Sequence, residues 1–223
     1  MQLLIRFIRQ LYHYSWFSFL YYKYKNYTMV PRAVFIQNLS LIAHHKKISG
    51  SVVECGVWRG GMIAAIAQAF GKDRNYVLFD SFEGLPQAKA IDGKLAIEWQ
   101  QDTTSLIYFD NCTAEIKWAQ EAMQKSGATN VSINRGWFTN TLPNYSATEP
   151  IAVLRLDGDW YDSTMDCLVH LYPKVASGGI IVIDDYYIWD GCSKAVHDYL
   201  SQNESSARIK QFRNGYIHYI VKP

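Results

Sequence analysis

The feature that most constrains this chain is a repeated alternation. Short β-prone runs at residues 51–55, 76–79, 130–134, 150–156 and 180–183 are separated by stretches of helical periodicity at 60–70, 113–125, 163–173 and 191–200. Parallel strands cannot be joined by a tight turn, so strand–helix alternation predicts a mostly parallel sheet covered by helices. Ile180, Ile181, Val182 and Ile183 are all β-branched, as suits a central strand buried on both faces. Gly127 is expected to cap the second helix, and Gly178-Gly179 to form a turn before the run at 180–183. Two last β-prone runs, 207–212 and 216–221, flank Arg213-Asn214-Gly215, a hairpin turn. The expected architecture is α/β: a Rossmann-like, doubly wound sheet that ends in an antiparallel hairpin.

The 223 residues suffice for one such domain, and no repeat or Pro/Gly/Ser linker divides them. A hydrophobic share of 49% against 19% charged excludes a disordered chain. The net charge of +2 is too small to predict a nucleic-acid partner, but it is unevenly spread. No Asp or Glu precedes Glu54, whereas Arg6, Arg9, Lys23, Lys25, Arg32, Lys46 and Lys47 do. Residues 1–26 therefore read as a basic, aromatic helical arm ahead of a domain over 27–223. Arg6 and Arg9 interrupt the apolar run that an export signal or membrane span needs. An amphipathic helix packed on its own domain or on a partner subunit, in a homodimer or larger homo-oligomer, is preferred to contact with a membrane surface. Cys55, Cys112, Cys167 and Cys192 are widely spaced without a Cys-x-x-Cys pair, which predicts reduced thiols, a cytoplasmic location and no zinc site. The weakly periodic, charged segment 87–105 reads as a lid-like surface excursion to which no element is assigned.

Ligands of doubly wound sheets bind beyond the carboxyl ends of the strands, and acids stand there: Glu54, Asp80, Asp157, Asp184 and Asp185. The first turn, E-C-G-V-W-R-G-G over residues 54–61, lacks the Gly-x-Gly-x-x-Gly spacing, and Trp58 would obstruct a pyrophosphate. A nucleoside without phosphates fits better, approached closely by the backbone at Gly56, Gly60 and Gly61. Asp80 is placed either to accept hydrogen bonds from ribose or to cap a following helix. Asp157 and the Asp184-Asp185 pair end two hydrophobic runs that, as sheet neighbours, would lie about 4.8 Å apart. Three such carboxylates need protons or a cation, and oxygen-only ligands select a hard ion: Mg2+, with Mn2+ or Ca2+ able to substitute. The alternative is that these residues only end strands and cap helices, which is how Asp159 and Asp162 are read.

Four blocks carry a resemblance beyond this pattern: V-E-C-G-V-W-R-G-G at 53–61, L-F-D-S-F-E-G-L-P at 78–86, L-R-L-D-G-D-W-Y-D-S-T at 154–164 and I-D-D-Y-Y-I-W-D-G-C at 183–192. In order and spacing they resemble the macrocin O-methyltransferase family, which methylates sugar hydroxyls with S-adenosylmethionine and Mg2+. Weaker likeness extends to Tyr27-Thr28-Met29-Val30, Gly136-Trp137-Phe138 and Thr141-Leu142-Pro143. The resemblance implies the S-adenosylmethionine methyltransferase fold. It implies cofactor contacts from Glu54, Gly56, Val57, Gly60 and Gly61, from Asp80 with Ser81 at the ribose, from Gly136 and Trp137, and from Thr28 and Met29 over the methyl donor. It also implies metal ligation by Asp157, Asp184 and Asp185, with Asp157 as proton acceptor and Asp159 as the second candidate. Trp160 stands three residues past Asp157, where catechol-type relatives carry a Lys, so a base of that type is not expected. Trp137, Trp160 and Trp189 are read as sugar platforms or as core. His197 is assigned no role. The first 25 residues and the 87–105 segment depart from the family pattern, so the acceptor, a sugar, glycosylated small molecule or glycan, rests on analogy. The competing functions are a nicotinamide oxidoreductase, which the missing fingerprint opposes, and a catalytically silent nucleoside-binding or scaffold protein.

Overall fold

The β-prone runs assemble into one sheet of seven strands: β1 Ser51–Cys55, β2 Asn75–Asp80, β3 Asn130–Arg135, β4 Ile151–Leu156, β5 Val175–Ile183, β6 Ile209–Gln211 and β7 His218–Val221. The helices are α1 Gln2–Tyr24, α2 Arg32–His44, α3 Gly61–Phe70, α4 Lys94–Gln101, α5 Ile116–Ser126, α6 Phe138–Thr141, α7 Tyr161–Leu171 and α8 Asp190–Gln202. The computed structural model describes residues 2–213 and 215–223, and for residues 2–12 only the backbone. Strand order is β3-β2-β1-β4-β5-β7-β6, with β1 to β5 parallel and β7 antiparallel to both its neighbours. The expected doubly wound sheet and closing hairpin are thus present, although Asn214 in the hairpin turn lies outside the described residues.

Strand order reverses between β1 and β4, so their carboxyl ends open the crevice where such sheets take ligands. Every residue of β1 and β4 is buried, because helices cover both faces. Val52, Val153, Ile180 and Val182 face one core, built with Phe35 and Leu39 of α2, Ile63 and Ile66 of α3, and Ala119 of α5. Val53, Leu154, Ile181 and Ile183 face the other, built with Leu168 of α7 and Val196 of α8. Phe17, Leu20 and Tyr24 line one stripe of α1 and enter the first core, so the second half of the arm is part of the domain. The side chains of Arg6 and Arg9 lie outside the described residues. Among the described residues no helix is long and apolar enough to cross a membrane. The sequence reading gave no element to α2, whose Phe35, Ile36, Leu39, Leu41 and Ile42 are all buried between α1 and α3.

Two local expectations are corrected. Gly178-Gly179 is not a turn between elements but part of an irregularity inside β5: Ile151 pairs with Val175 and Val153 with Ile180, so residues 176–179 stand opposite Ala152 alone, with Gly178 at φ +76° and both glycines hydrogen-bonded to Lys222. The 87–105 excursion is folded, not loose. It contains a 3-10 turn at Ala90–Asp92 and then α4. Asp92, 3% exposed, accepts from the backbone N–H of Tyr161 at 2.7 Å through Oδ1 and from that of Lys89 at 2.7 Å through Oδ2. An acid from another segment therefore satisfies a donor in the first turn of α7, which α7's own flanking residue, Trp160, leaves free. Trp160 Nε1 donates to Pro86 O at 2.8 Å, and the Trp99 ring packs 6.2 Å from Trp160 and 5.9 Å from Trp189.

Candidate active site

The turn after β1 is shaped by contacts inside the protein. Gly56 has φ +82°, and a Cβ there would stand 1.7 Å from the carbonyl oxygen of Asp157, so only glycine lets the ends of β1 and β4 close on each other. A Cβ on Gly60 would meet Ala119 Cα at 3.0 Å, and one on Gly61 would meet Tyr27 O at 2.5 Å. The close approach expected of a ligand at these two glycines is therefore made by α5 and by the segment after α1. Neither glycine lines the cavities described next. Trp58 is held at φ +48° with its indole N–H on Thr113 O at 3.2 Å, and Arg59 stacks 4.2 Å above its ring.

A cavity of about 310 Å³ opens beyond β1, β2 and β4, lined by Met29, Gly56, Asp80, Ser81, Trp137 and Asp157 among others. Asp80 is not a helix cap, because a turn and not a helix follows β2. Its Oδ2 accepts from Trp58 N at 2.8 Å and its Oδ1 from Phe82 N at 2.6 Å, which fixes the carboxylate at the cavity wall. Burial pushes its pKa up against the pull of those amides. Ser81 Oγ donates to Gly84 O at 2.9 Å, and Gly136 N donates to Asp80 O at 2.9 Å, so both shape the wall through the turn.

A second cavity of about 240 Å³ adjoins the first and holds the acids. Thr28, Met29, Glu54 and Val57 line it, and Met29, Trp58, Cys112, Asp157 and Asp159 border both spaces. One oxygen from each of Asp157, Asp184 and Asp185 lies within 4.8 Å of the others. The backbone explains the convergence: Asp157 N donates to Cys55 O and Asp184 N to Leu156 O, each at 2.9 Å, so the ladder continues one residue past the strands. Asp159, read both as a cap and as the second candidate proton acceptor, joins this group and does not cap α7. At φ +59° its N–H meets Asp185 Oδ2 at 3.2 Å, and its Oδ1 accepts from Trp189 Nε1 at 2.8 Å. Asp162 is no cap either, since it stands inside α7 and pairs with Lys89.

The sequence reading missed Arg155. Its side chain is 1% exposed beneath the acids, with Nη1 2.7 Å from Glu54 Oε1 and 2.6 Å from Asp157 Oδ2, and Nη2 2.7 Å from Asp184 Oδ1. The last approach is an ion pair without hydrogen-bond alignment, because neither atom has a hydrogen-bond partner. Part of the signal was visible, since Glu54 and Arg155 are the single charges inside two largely apolar runs; the structure makes them register partners across β1 and β4. This guanidinium also alters the charge argument, since part of the compensation expected of a metal is supplied by the protein. It does not complete it. Burial still pushes Glu54 up to about 8 despite Arg155, Asp157 up to about 6, and Asp159 up to about 7, with Asp157 raising the last further. Asp185 is raised by burial and then by Asp159.

A doubly wound sheet with a nucleoside-sized cavity at its switch point, and acids from two adjoining strand ends beside it, defines a Rossmann-like methyltransferase fold. The chain belongs to the macrocin-O-methyltransferase (TylF) family, whose model matches residues 24–219. It is 35% identical over 162 residues to the 8-demethyl-8-(2,3-dimethoxy-alpha-L-rhamnosyl)-tetracenomycin-C 4'-O-methyltransferase of Streptomyces olivaceus, covering 68% of this chain and 58% of that protein. It is 33% identical over 172 residues to the mycinamicin III 3''-O-methyltransferase of Micromonospora griseorubida, covering 73% and 65%. The chain thus spans about three fifths of the length of the curated relatives it matches. Among solved structures, the O-methyltransferase NovP superposes with a TM-score of 0.70 at 28% identity, covering 88% of this chain and 82% of that one.

Proposed function

We propose that this protein transfers a methyl group from S-adenosylmethionine to a hydroxyl of a sugar-bearing acceptor, assisted by a divalent cation. The observation that carries the proposal is the set of three carboxylate oxygens within 4.8 Å of one another beside a nucleoside-sized cavity. The donor set fits a hard cation: it is all oxygen, from three carboxylates converging within 4.8 Å, and Glu54 Oε2, buried beside them, has no hydrogen-bond partner. Asp157, Asp184 and Asp185 would hold Mg2+, or Mn2+ in its place. When bound, such an ion supplies fixed positive charge that orients a hydroxyl and eases its deprotonation.

The residues divide the remaining work. Asp80, with the turns built by Ser81 and Gly136, offers carboxylate oxygens to a ribose. Gly56 and Trp137 enclose the nucleoside, and Thr28, Met29 and Val57 cover the boundary with the acceptor space. Glu54 borders the second cavity and holds Arg155 through Oε1. Asp157, the most open of the metal-site acids with 26% of its side chain exposed, accepts the hydroxyl proton, with Asp159 the second candidate. Ile107, Phe109 and Ile188 bring apolar surface to the rim of the acid-lined cavity, a pattern suited to a hydroxylated sugar carried on an apolar body. The relatives' names, which specify methylation of a rhamnosyl tetracenomycin and of a mycinamicin, agree with this acceptor class. Self-association through α1 is part of the same proposal, since Tyr14, Phe19 and Tyr22 are exposed on a helix whose other stripe is core. Sedimentation of the full chain as a monomer at micromolar concentration would remove it.

Calorimetry and a radiolabelled methyl donor test the proposal. S-adenosylmethionine is expected to bind, to bind about ten-fold more weakly to Asp80→Ala, and to label neutral glycosides in a reaction that chelation abolishes. No binding to the wild type, or labelling that persists after thorough chelation, contradicts it.

A further inference from the structure

The Arg155 guanidinium already occupies the charge centre of the acids proposed to hold an ion, which gives it two possible relations to that ion. It could be a stand-in cation that leaves when the ion arrives, or a fixed clamp that stays. The two differ in what holds the side chain. Arg155 lies in β4, the central strand of the sheet, and is 1% exposed. Its Nη1 is committed twice, to Glu54 Oε1 at 2.7 Å and to Asp157 Oδ2 at 2.6 Å, and Glu54 is itself 1% exposed. Glu54 and Arg155 are register partners, so the anchor is set by strand pairing and not by the mobile end of a side chain. Releasing the guanidinium would break two short charge-assisted bonds and leave the buried Glu54 carboxylate unpaired.

We infer that Arg155 is a positioning residue that stays in place and divides the oxygens of the metal ligands. It holds Asp157 by Oδ2 and Asp184 by Oδ1, which leaves the second oxygen of each, together with Asp185, to face the ion. Its fork geometry, not its charge alone, does this, because one planar group addresses two carboxylates from two nitrogens. The Nη2–Asp184 contact lacks hydrogen-bond alignment, so Asp184 is the ligand with freedom to turn as the ion binds. This inference rests on the metal reading above and deepens it.

The test is an electron-paramagnetic-resonance titration of the full chain with Mn2+ alone, in wild type and Arg155→Lys, joined to a crystal structure of the Mn2+-loaded wild type. Lysine keeps the charge but cannot hold two carboxylates at fixed spacing. The clamp predicts Mn2+ affinity at least ten-fold weaker in Arg155→Lys, with S-adenosylmethionine affinity within two-fold of wild type, and Arg155 still in contact with Asp157 and Asp184 in the loaded crystal. Equal Mn2+ affinity in the two proteins, or a guanidinium displaced from both aspartates in the loaded crystal, overturns the clamp while leaving the metal site standing. A wild type that takes up no Mn2+ at these acids overturns both. If Arg155→Lys does not fold, the loaded wild-type crystal decides by itself.

Discussion

Single residues decide this site through geometry that composition does not show. Gly56 is the clearest, because both its φ of +82° and the Asp157 carbonyl 1.7 Å from its absent Cβ exclude a side chain. Gly56→Ala is expected to destabilise the protein by at least about 2 kcal/mol, combining the cost of a non-glycine residue at positive φ with displacement of the β4 end. Chemical denaturation measures it, and a change below about 0.5 kcal/mol would mean that the two strand ends move apart freely. The acids were legible because each closes an apolar run, so the run itself states where the carboxylate points. Arg155 stood out only as a lone charge in its run, and its role was hidden, because its partner Glu54 lies 101 residues away and only strand order brings them together. Asp159, also named as second candidate for proton acceptor, was misread only in its capping role. Proximity to a helix start suggests a cap, whereas φ +59° turns its side chain toward Trp189 and its N–H toward Asp185.

Among the elements, the regular ones announced themselves by period and the inserted ones did not. α5, α7 and α8 each bury one stripe, α3 is apolar and buried nearly all round, and Gly127 ends α5 at φ +75° with its N–H on Gln124 O, as its position implied. The 87–105 segment yielded no element from its sequence because its contacts are tertiary: Asp92 serves the start of α7, and Trp99 joins Trp160 and Trp189. Asp92→Ala leaves two backbone donors, Tyr161 N and Lys89 N, without their acceptor. The expected loss is about 1–3 kcal/mol of stability, with hydrogen exchange rising in both α4 and the first turn of α7. Exchange that rises in α4 alone would show that α7 does not depend on this segment. Gly178-Gly179 marks the limit of local reading, since a glycine pair signals departure from a regular strand equally well for a turn and for a bulge.

At the scale of the whole molecule, one topological fact places everything else. Because strand order reverses between β1 and β4, the ends of β1, β4 and β5 meet at one crevice, and residues from both halves of the chain converge there. The N-terminal arm shares in this, as Phe17, Leu20 and Tyr24 are core and the chain beyond them returns through Thr28 and Met29 to the cavity wall. Removing residues 1–24 is therefore expected to destabilise the domain by several kcal/mol, at about 1.5–3 kcal/mol for each large buried side chain, and not to release an independent arm. A truncated protein that melts like the full chain would contradict that. The central claim, that the acids at the ends of β4 and β5 hold an ion beside the methyl donor, is tested most directly by anomalous diffraction from crystals grown with Mn2+ and S-adenosylhomocysteine. One strong peak is expected, coordinated by oxygens of Asp157, Asp184 and Asp185, with the nucleoside in the neighbouring cavity against Asp80. A peak bound elsewhere, or none at these acids with the nucleoside in place, would contradict it.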